Sequence, residues 1–252
     1  VVAVIMTKTG AFTGYISWIR DGGSWSERTL EIIEHSMSQD ANSAKSDGTG
    51  RFRPSLIGDP CDRKQLLSYL FADSSAFNGN WYTWSGTWLH LAFQTYLLEK
   101  FPDSVRIEHK IAPDRGRTGV TGKADWYWYG PDAEPSFGQL IRGPHLGDYK
   151  TATSIERVSE SPNAVHVDQL LYEMFTINVR RAYLVYQVRS HGQMVGWELE
   201  AEDADLERVS SKLARLQRYA DGRVLPDHLT ECLSHSGAYT KCDFAERCME
   251  EL

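Results

Sequence analysis

The hydrophobic pattern changes period several times along the chain, and each change marks an element. Residues 105–111, 120–129 and 140–151 are short runs rich in β-branched and aromatic residues, with turn chemistry at Gly130-Pro131 and Gly143-Pro144, and they read as strands. Helical spacing takes over at 164–179, strands return at 182–188 and 195–200 around the turn Ser190-His191-Gly192, and 205–219 is an amphipathic helix with Leu206, Val209, Leu213 and Leu216 on one side. Upstream, 27–38 has helical spacing (Leu30, Ile33, Met37) with Ser24 or Ser26 as a cap, 39–50 is a polar, Gly-containing connection, and 63–71 is a helix. Residues 78–85 read as an aromatic loop leading into a helix that Gly86 to His90 opens and that ends near Phe101-Pro102. The first six residues are apolar and read as a strand or an unstructured start. The order α-β-β-β-α-β-β-α predicts an α/β fold, a mixed central sheet flanked by helices. There is no internal repeat, heptad array or glycine-rich phosphate loop.

Chemistry concentrates on the predicted strands. Asp148-Tyr149-Lys150 lies on one of them, and Gly122-Lys123-Ala124-Asp125 on its neighbour. Side chains alternate along a strand, so Asp148 and Lys150 point the same way and Tyr149 the other. Two carboxylates on adjacent strands can share a divalent metal, and a cation beside them suits charge developing on a phosphate. His90 lies upstream on a helix, and Gln169 and Tyr172 sit one turn apart on another. Glu108 and His166 stand as residues behind these and receive no role.

The ordered set His, Gly-x-x-Asp, Asp-x-Lys, Gln-x-x-Tyr resembles the RecB-like branch of the PD-(D/E)XK nucleases. The resemblance spans roughly Arg53 to Cys248. The segment from Ser55 to Cys61 and the Cys-bearing tail narrow it to the iron–sulfur branch, which includes the CRISPR-associated RecB-like exonucleases and their phage relatives. It implies a restriction-endonuclease-like core at 51–225, an N-terminal helical and flexible segment at 1–50, and a cysteine-rich tail at 226–252, both chain ends forming a helical cap. It further implies Mn²⁺ or Mg²⁺ held by His90, Asp125, Asp148 and the backbone carbonyl of Tyr149. Imidazole beside two carboxylates tilts the choice toward Mn²⁺. Lys150 would stabilise the transition state, with Gln169 and Tyr172 orienting Lys150 or a phosphate. The expected reaction is exonucleolytic hydrolysis of DNA, chiefly at single-stranded ends. The rival from another class is a DNA-end-binding factor that hands DNA to a recombination or CRISPR integration partner.

The four cysteines, Cys61, Cys232, Cys242 and Cys248, admit disulfides, a zinc site or an iron–sulfur cluster. Spacing does not separate the last two. The family resemblance favours a 4Fe-4S cluster, with one thiolate before the core and three after it. The five residues between Cys242 and Cys248 match that pattern, whereas the nine between Cys232 and Cys242 depart from it.

Composition changes the picture in one respect. The 252 residues are 41% hydrophobic with a formal net charge of −7, which taken alone opposes a polyanionic partner. Carboxylates gathered at a metal site inflate that count, so local basic groups matter more. These are Arg51/Arg53, Arg63/Lys64, Arg115/Arg117, Arg180/Arg181 and the helical set Arg208, Lys212 and Arg215. No apolar run approaches the length of a membrane span, and a soluble cytoplasmic protein of a bacterial, archaeal or phage-infected cell is expected.

Overall fold

The computed structural model of the chain describes residues 5–9, 50–71, 81–114, 117–131, 143–190, 192–229, 242 and 244–249, with backbone alone at 5–9, 81–84 and 246. In chain order the elements are β1 (Ile5–Thr9), α1 (Pro54–Ile57), α2 (Asp62–Leu70), α3 (Trp81–Lys100), β2 (Val105–Ile111), β3 (Gly122–Trp128), β4 (His145–Ala152), α4 (Glu156–Ser159), α5 (Ala164–Ile177), β5 (Arg181–Val188), β6 (Met194–Glu200), α6 (Asp203–Gly222) and α7 (Ala245–Cys248). The strands form one mixed sheet in the order β1-β6-β5-β4-β3-β2. Among the described strands only β4 and β5 are parallel, joined through α4 and α5 as a parallel pair requires. Of the N-terminal apolar run, Ile5 and Met6 lie in β1, which pairs with β6 with Ile5 opposite Glu200.

The two faces bury different residues. On one, α3 covers Trp126, Trp128, Tyr149 and Tyr183 with Phe93, Tyr96 and Leu97. On the other, α5 and α6 cover Leu146, Leu184 and Leu199 with Leu170, Leu171, Leu213 and Leu216. Asn163 starts α5, its side chain accepting from the Val165 amide at 3.0 Å, and Asn178 ends it in the left-handed region at φ 58°. Helix 27–38 lies outside the described residues.

Helix α3 corrects the expected aromatic loop at 78–85: the helix already runs from Trp81. Gly86 is a helix residue where α3 crosses β4, for a Cβ there would meet Thr151 Oγ1 at 3.3 Å. An interior glycine with a packing reason reads, in sequence, like a breaker.

At the other end of the chain, α7 rests on α2. Phe244 and Cys248 pack with Leu67, and the buried Arg63 guanidinium donates to the Cys248 carbonyl at 2.6 and 3.0 Å and to the Pro226 carbonyl at 3.0 Å. No described helix is long and apolar enough to cross a membrane.

Candidate active site

Strands β3 and β4 run antiparallel with Trp126 opposite Gly147, which sets Asp125 and Asp148 side by side. The close approach needs a glycine: a Cβ on Gly147 would fall 1.7 Å from the Trp126 ring. Gly122 has the same reason at the start of β3, where a Cβ would meet Pro54 of α1 at 2.7 Å. Alternation along β4 follows the expected pattern. Tyr149 packs under α3 on Phe93 at 5.0 Å, while Asp148 and Lys150 turn toward α5.

Asp148 is 2% exposed. Its Oδ1 accepts from Lys150 Nζ at 2.8 Å and from Gln169 Nε2 at 3.1 Å, while its buried Oδ2 has no partner among the described residues. Asp125 Oδ2 accepts from the Tyr149 amide at 2.6 Å, and Asp125 Oδ1 lies 3.2 Å from His90 Nε2. The His90 ring stacks on Tyr149 at 5.7 Å, so α3 and β4 together aim it.

Burial pushes the Asp148 carboxyl up to about 6, a rise that Lys150 opposes and Asp125 reinforces. Burial would raise Asp125 too, but His90 and Lys150 override it and hold that group below its ordinary value. Burial works against the Lys150 ammonium, yet Asp148 and Asp125 outweigh it and push it up to about 12. Burial likewise pulls His90 down, and Asp125 more than reverses it. The site thus holds two carboxylates whose environments part them, beside a lysine kept charged.

Two glutamates complete the surroundings. Glu108 of β2 lies with His90 and Asp125 in a group whose ligand atoms are all within 4.8 Å of one another. Its φ is 48°, a conformation costly for any residue but glycine, asparagine or aspartate. The kink reverses the strand's facing. Val105 packs under α3, whereas Ile111, an even number of residues on, packs with the α5 face. Gln94 Nε2 holds Glu108 Oε1 at 2.8 Å and Lys123 Nζ lies 3.3 Å from Oε2. Glu173 of α5 is fully buried and accepts from Gln169 Nε2 at 3.0 Å. Burial, with Asp148 nearby, raises it well above the usual carboxylate range. A lone glutamate in the apolar run after Gln169, four residues on, was its signal in the sequence; the Glu108 kink had none.

The structure therefore brings His90, Asp125, Asp148, Lys150 and Gln169 together. Tyr172 goes elsewhere: it is fully buried in the α5–α6 seam with Lys212 Nζ 5.8 Å from its ring centroid. Three helical residues turn the chain about 60° short of a full circle, enough to separate it from Gln169. His166 meets the Tyr186 hydroxyl at 2.9 Å. An oxygen-and-imidazole set with an orphaned buried carboxylate oxygen fits a hard divalent cation.

No protein-family model and no curated relative matches the sequence. Among solved structures, the chain is similar to the alkaline exonuclease LHK-Exo from Laribacter hongkongensis, with a TM-score of 0.51 at 13% identity over 69% of this chain and 89% of that one. It also aligns with the structure of SSO0001 (TM-score 0.47, 16% identity, 91% of this chain and 100% of that one). A phage-related exonuclease from Haemophilus somnus 129PT aligns at TM-score 0.44 and 13% identity over 69% of this chain and 94% of that one. The likeness to LHK-Exo is one of fold, a mixed central sheet flanked by helices.

That shared fold does not by itself select the iron–sulfur branch. Cys61 caps α2, its sulfur 3.4 Å from the Lys64 amide, Cys248 is buried against Leu67, and Cys232 lies outside the described residues. Among the described residues, the group close enough to share an ion is His90, Glu108 and Asp125, and it contains no cysteine.

Proposed function

We propose that the protein is a divalent-metal-dependent deoxyribonuclease that removes nucleotides from DNA ends, with single strands preferred. The observation that carries this reading is Asp148: a buried carboxylate with one oxygen on Lys150 and Gln169 and the other without a partner among the described residues, beside Asp125 on the next strand. Leaving a buried carboxylate oxygen bare is costly unless it serves a ligand.

His90, Asp125, Asp148 and the Tyr149 carbonyl would hold Mn²⁺ or Mg²⁺, and Glu108 joins them. When bound, the ion would supply Lewis acidity toward the phosphate and would lower the pKa of water. The chain's own residues do the rest. Lys150, held charged between Asp148 and Asp125, meets negative charge accumulating on the phosphoryl oxygens. Gln169 fixes the Asp148 carboxylate, and Gln94 fixes Glu108. Tyr149 sets Asp125 through its amide and His90 through its ring. Tyr172, in this reading, supports α5 and does not touch DNA.

The same proposal assigns Cys61, Cys232, Cys242 and Cys248 to an iron–sulfur cluster that ties the chain ends together. Support comes from the sequence resemblance alone, for the sulfurs of Cys61, Cys242 and Cys248 do not all lie within 4.8 Å of one another. Anaerobically purified protein should then absorb broadly near ~400 nm and bleach with dithionite. Colourless protein with stoichiometric zinc assigns the thiolates to zinc instead.

End-labelled single- and double-stranded DNA, incubated with and without Mn²⁺, tests the activity. Parent protein should shorten the label from an end only with metal. Asp148→Ala and Lys150→Ala should lose cleavage while still binding DNA. Cleavage by either variant within about threefold of the parent, ~0.7 kcal/mol of barrier, removes the assignment.

A further inference from the structure

We propose that a cavity at the loop end of the β2–β3 hairpin is a second phosphate site, which grips the DNA strand a few nucleotides from the cleaved bond. The inference rests on the nuclease reading above and adds to it the place where an acidic protein holds its substrate.

The cavity encloses about 520 Å³ and is lined by Arg51, Lys110 and Arg117 together with Tyr69, Thr121, Gln217 and other neutral residues, with no aspartate or glutamate among the described residues of its wall. In a chain of net charge −7 such a lining is a local reversal of sign. The cations are uncommitted. Arg51 and Lys110 have no ion-pair partner among the described residues, and Arg117 has only Asp114 at 3.9 Å, both largely exposed. A pair so exposed and so long holds neither side chain. Elsewhere the basic groups are spent on the protein itself. Arg208 bonds Asp168 at 2.8 Å, Arg215 bonds Asp62 at 2.7 Å, and Lys212 donates to the Ile57 and Asp59 carbonyls at 3.2 Å. The α6 set is thereby set aside as the path of DNA.

Position points to a strand of DNA and not a free anion. Lys110 is two residues past Glu108 on β2, about 7 Å along the strand. Thr121, the residue before β3, precedes Asp125 by four residues, about 13 Å of extended chain. One hairpin therefore carries metal-site carboxylates at its middle and, toward its loop end, Lys110, which has no ion-pair partner among the described residues, and the loosely paired Arg117. Guanidinium groups match the oxygen geometry of a phosphodiester, and lysine adds a mobile charge. A cavity of this size accommodates a nucleotide unit, more than an isolated phosphate fills.

The test is fluorescence anisotropy of a labelled single-stranded oligonucleotide in EDTA, where nothing is cleaved, over a range of salt. Arg51→Gln with Lys110→Gln should make the slope of log K against log[salt] shallower by about 1.4, two contacts at roughly 0.7 each. The melting temperature should stay that of the parent, since both side chains are exposed. Arg215→Gln, whose guanidinium is already paired, should leave the slope alone. An unchanged slope in the double variant overturns the site. So does a cavity that serves free nucleotides: dAMP or inorganic phosphate would then raise the melting temperature of the parent and not of the double variant, with the oligonucleotide slope unmoved. Failure of the wider reading looks different. A parent that neither binds the oligonucleotide nor cleaves with Mn²⁺ overturns the nuclease assignment, whereas a parent that cleaves while the double variant keeps its slope overturns the cavity alone.

Discussion

Asp148 joins structure to solution behaviour at the scale of a single residue. Burial pushes it up to about 6 in the metal-free fold, against about 3.9 for an unfolded aspartate. A raised value favours the protonated folded state. Its contribution is present below about pH 4 and is lost as pH rises through about 6, a loss on the order of 3 kcal/mol. A divalent ion competes with that proton. The rise in melting temperature caused by Mn²⁺ should therefore grow between pH 5 and pH 7.5, measured against EDTA; a pH-independent rise excludes Asp148 as a ligand. Glu108 provides a second test, because its φ of 48° strains a glutamate. Glu108→Gly should leave metal-free stability unchanged or raise it by about 1 kcal/mol while shrinking the Mn²⁺-induced shift. Lower metal-free stability with a full Mn²⁺ shift would make Glu108 a purely structural residue. At Gly147, Ala would drive a methyl into the buried Trp126 ring. Thermal unfolding should register a loss of about 1–3 kcal/mol, the usual range for overpacking.

Elements decide which of these residues meet. Helix α5 presents Gln169 and Glu173 to the sheet and Tyr172 to α6, although Gln169 and Tyr172 lie within one turn. Helix α3 brings His90 and Gln94 over the β2–β3 pair, which ties Glu108 and Asp125 to the same support. The α2–α7 contact is a separate element-scale feature, clamped by Arg63 on the Cys248 and Pro226 carbonyls. Arg63→Ala strips charged donors from buried carbonyls and should destabilise by about 2–3 kcal/mol. Limited proteolysis should release the C-terminal segment sooner than in the parent. Equal protection in the variant would show that Phe244 and Cys248 hold α7 by packing alone.

Across the whole molecule, the order of elements and the parity along β4 were legible in the sequence, because both follow from local covalent geometry. Strand alternation alone puts Asp148 and Lys150 on one side and Tyr149 on the other, and β2 was read with its observed bounds, residues 105–111. The early start of α3 was not legible, since Gly86 signals a break unless one knows that Thr151 crowds it. Nor could composition tell which cations are free: Arg51 and Arg208 look alike until Asp168 is found beside the second and a cavity beside the first. The sequence by itself determined the donor residues and their order. Tertiary structure alone set His90 within 3.2 Å of Asp125, turned Glu108 into the same group, and buried Asp148 until its proton affinity shifted. The division has a physical cause. Periodicity acts between neighbours in the chain, whereas desolvation and Coulomb interaction depend on distances that only packing between remote segments creates.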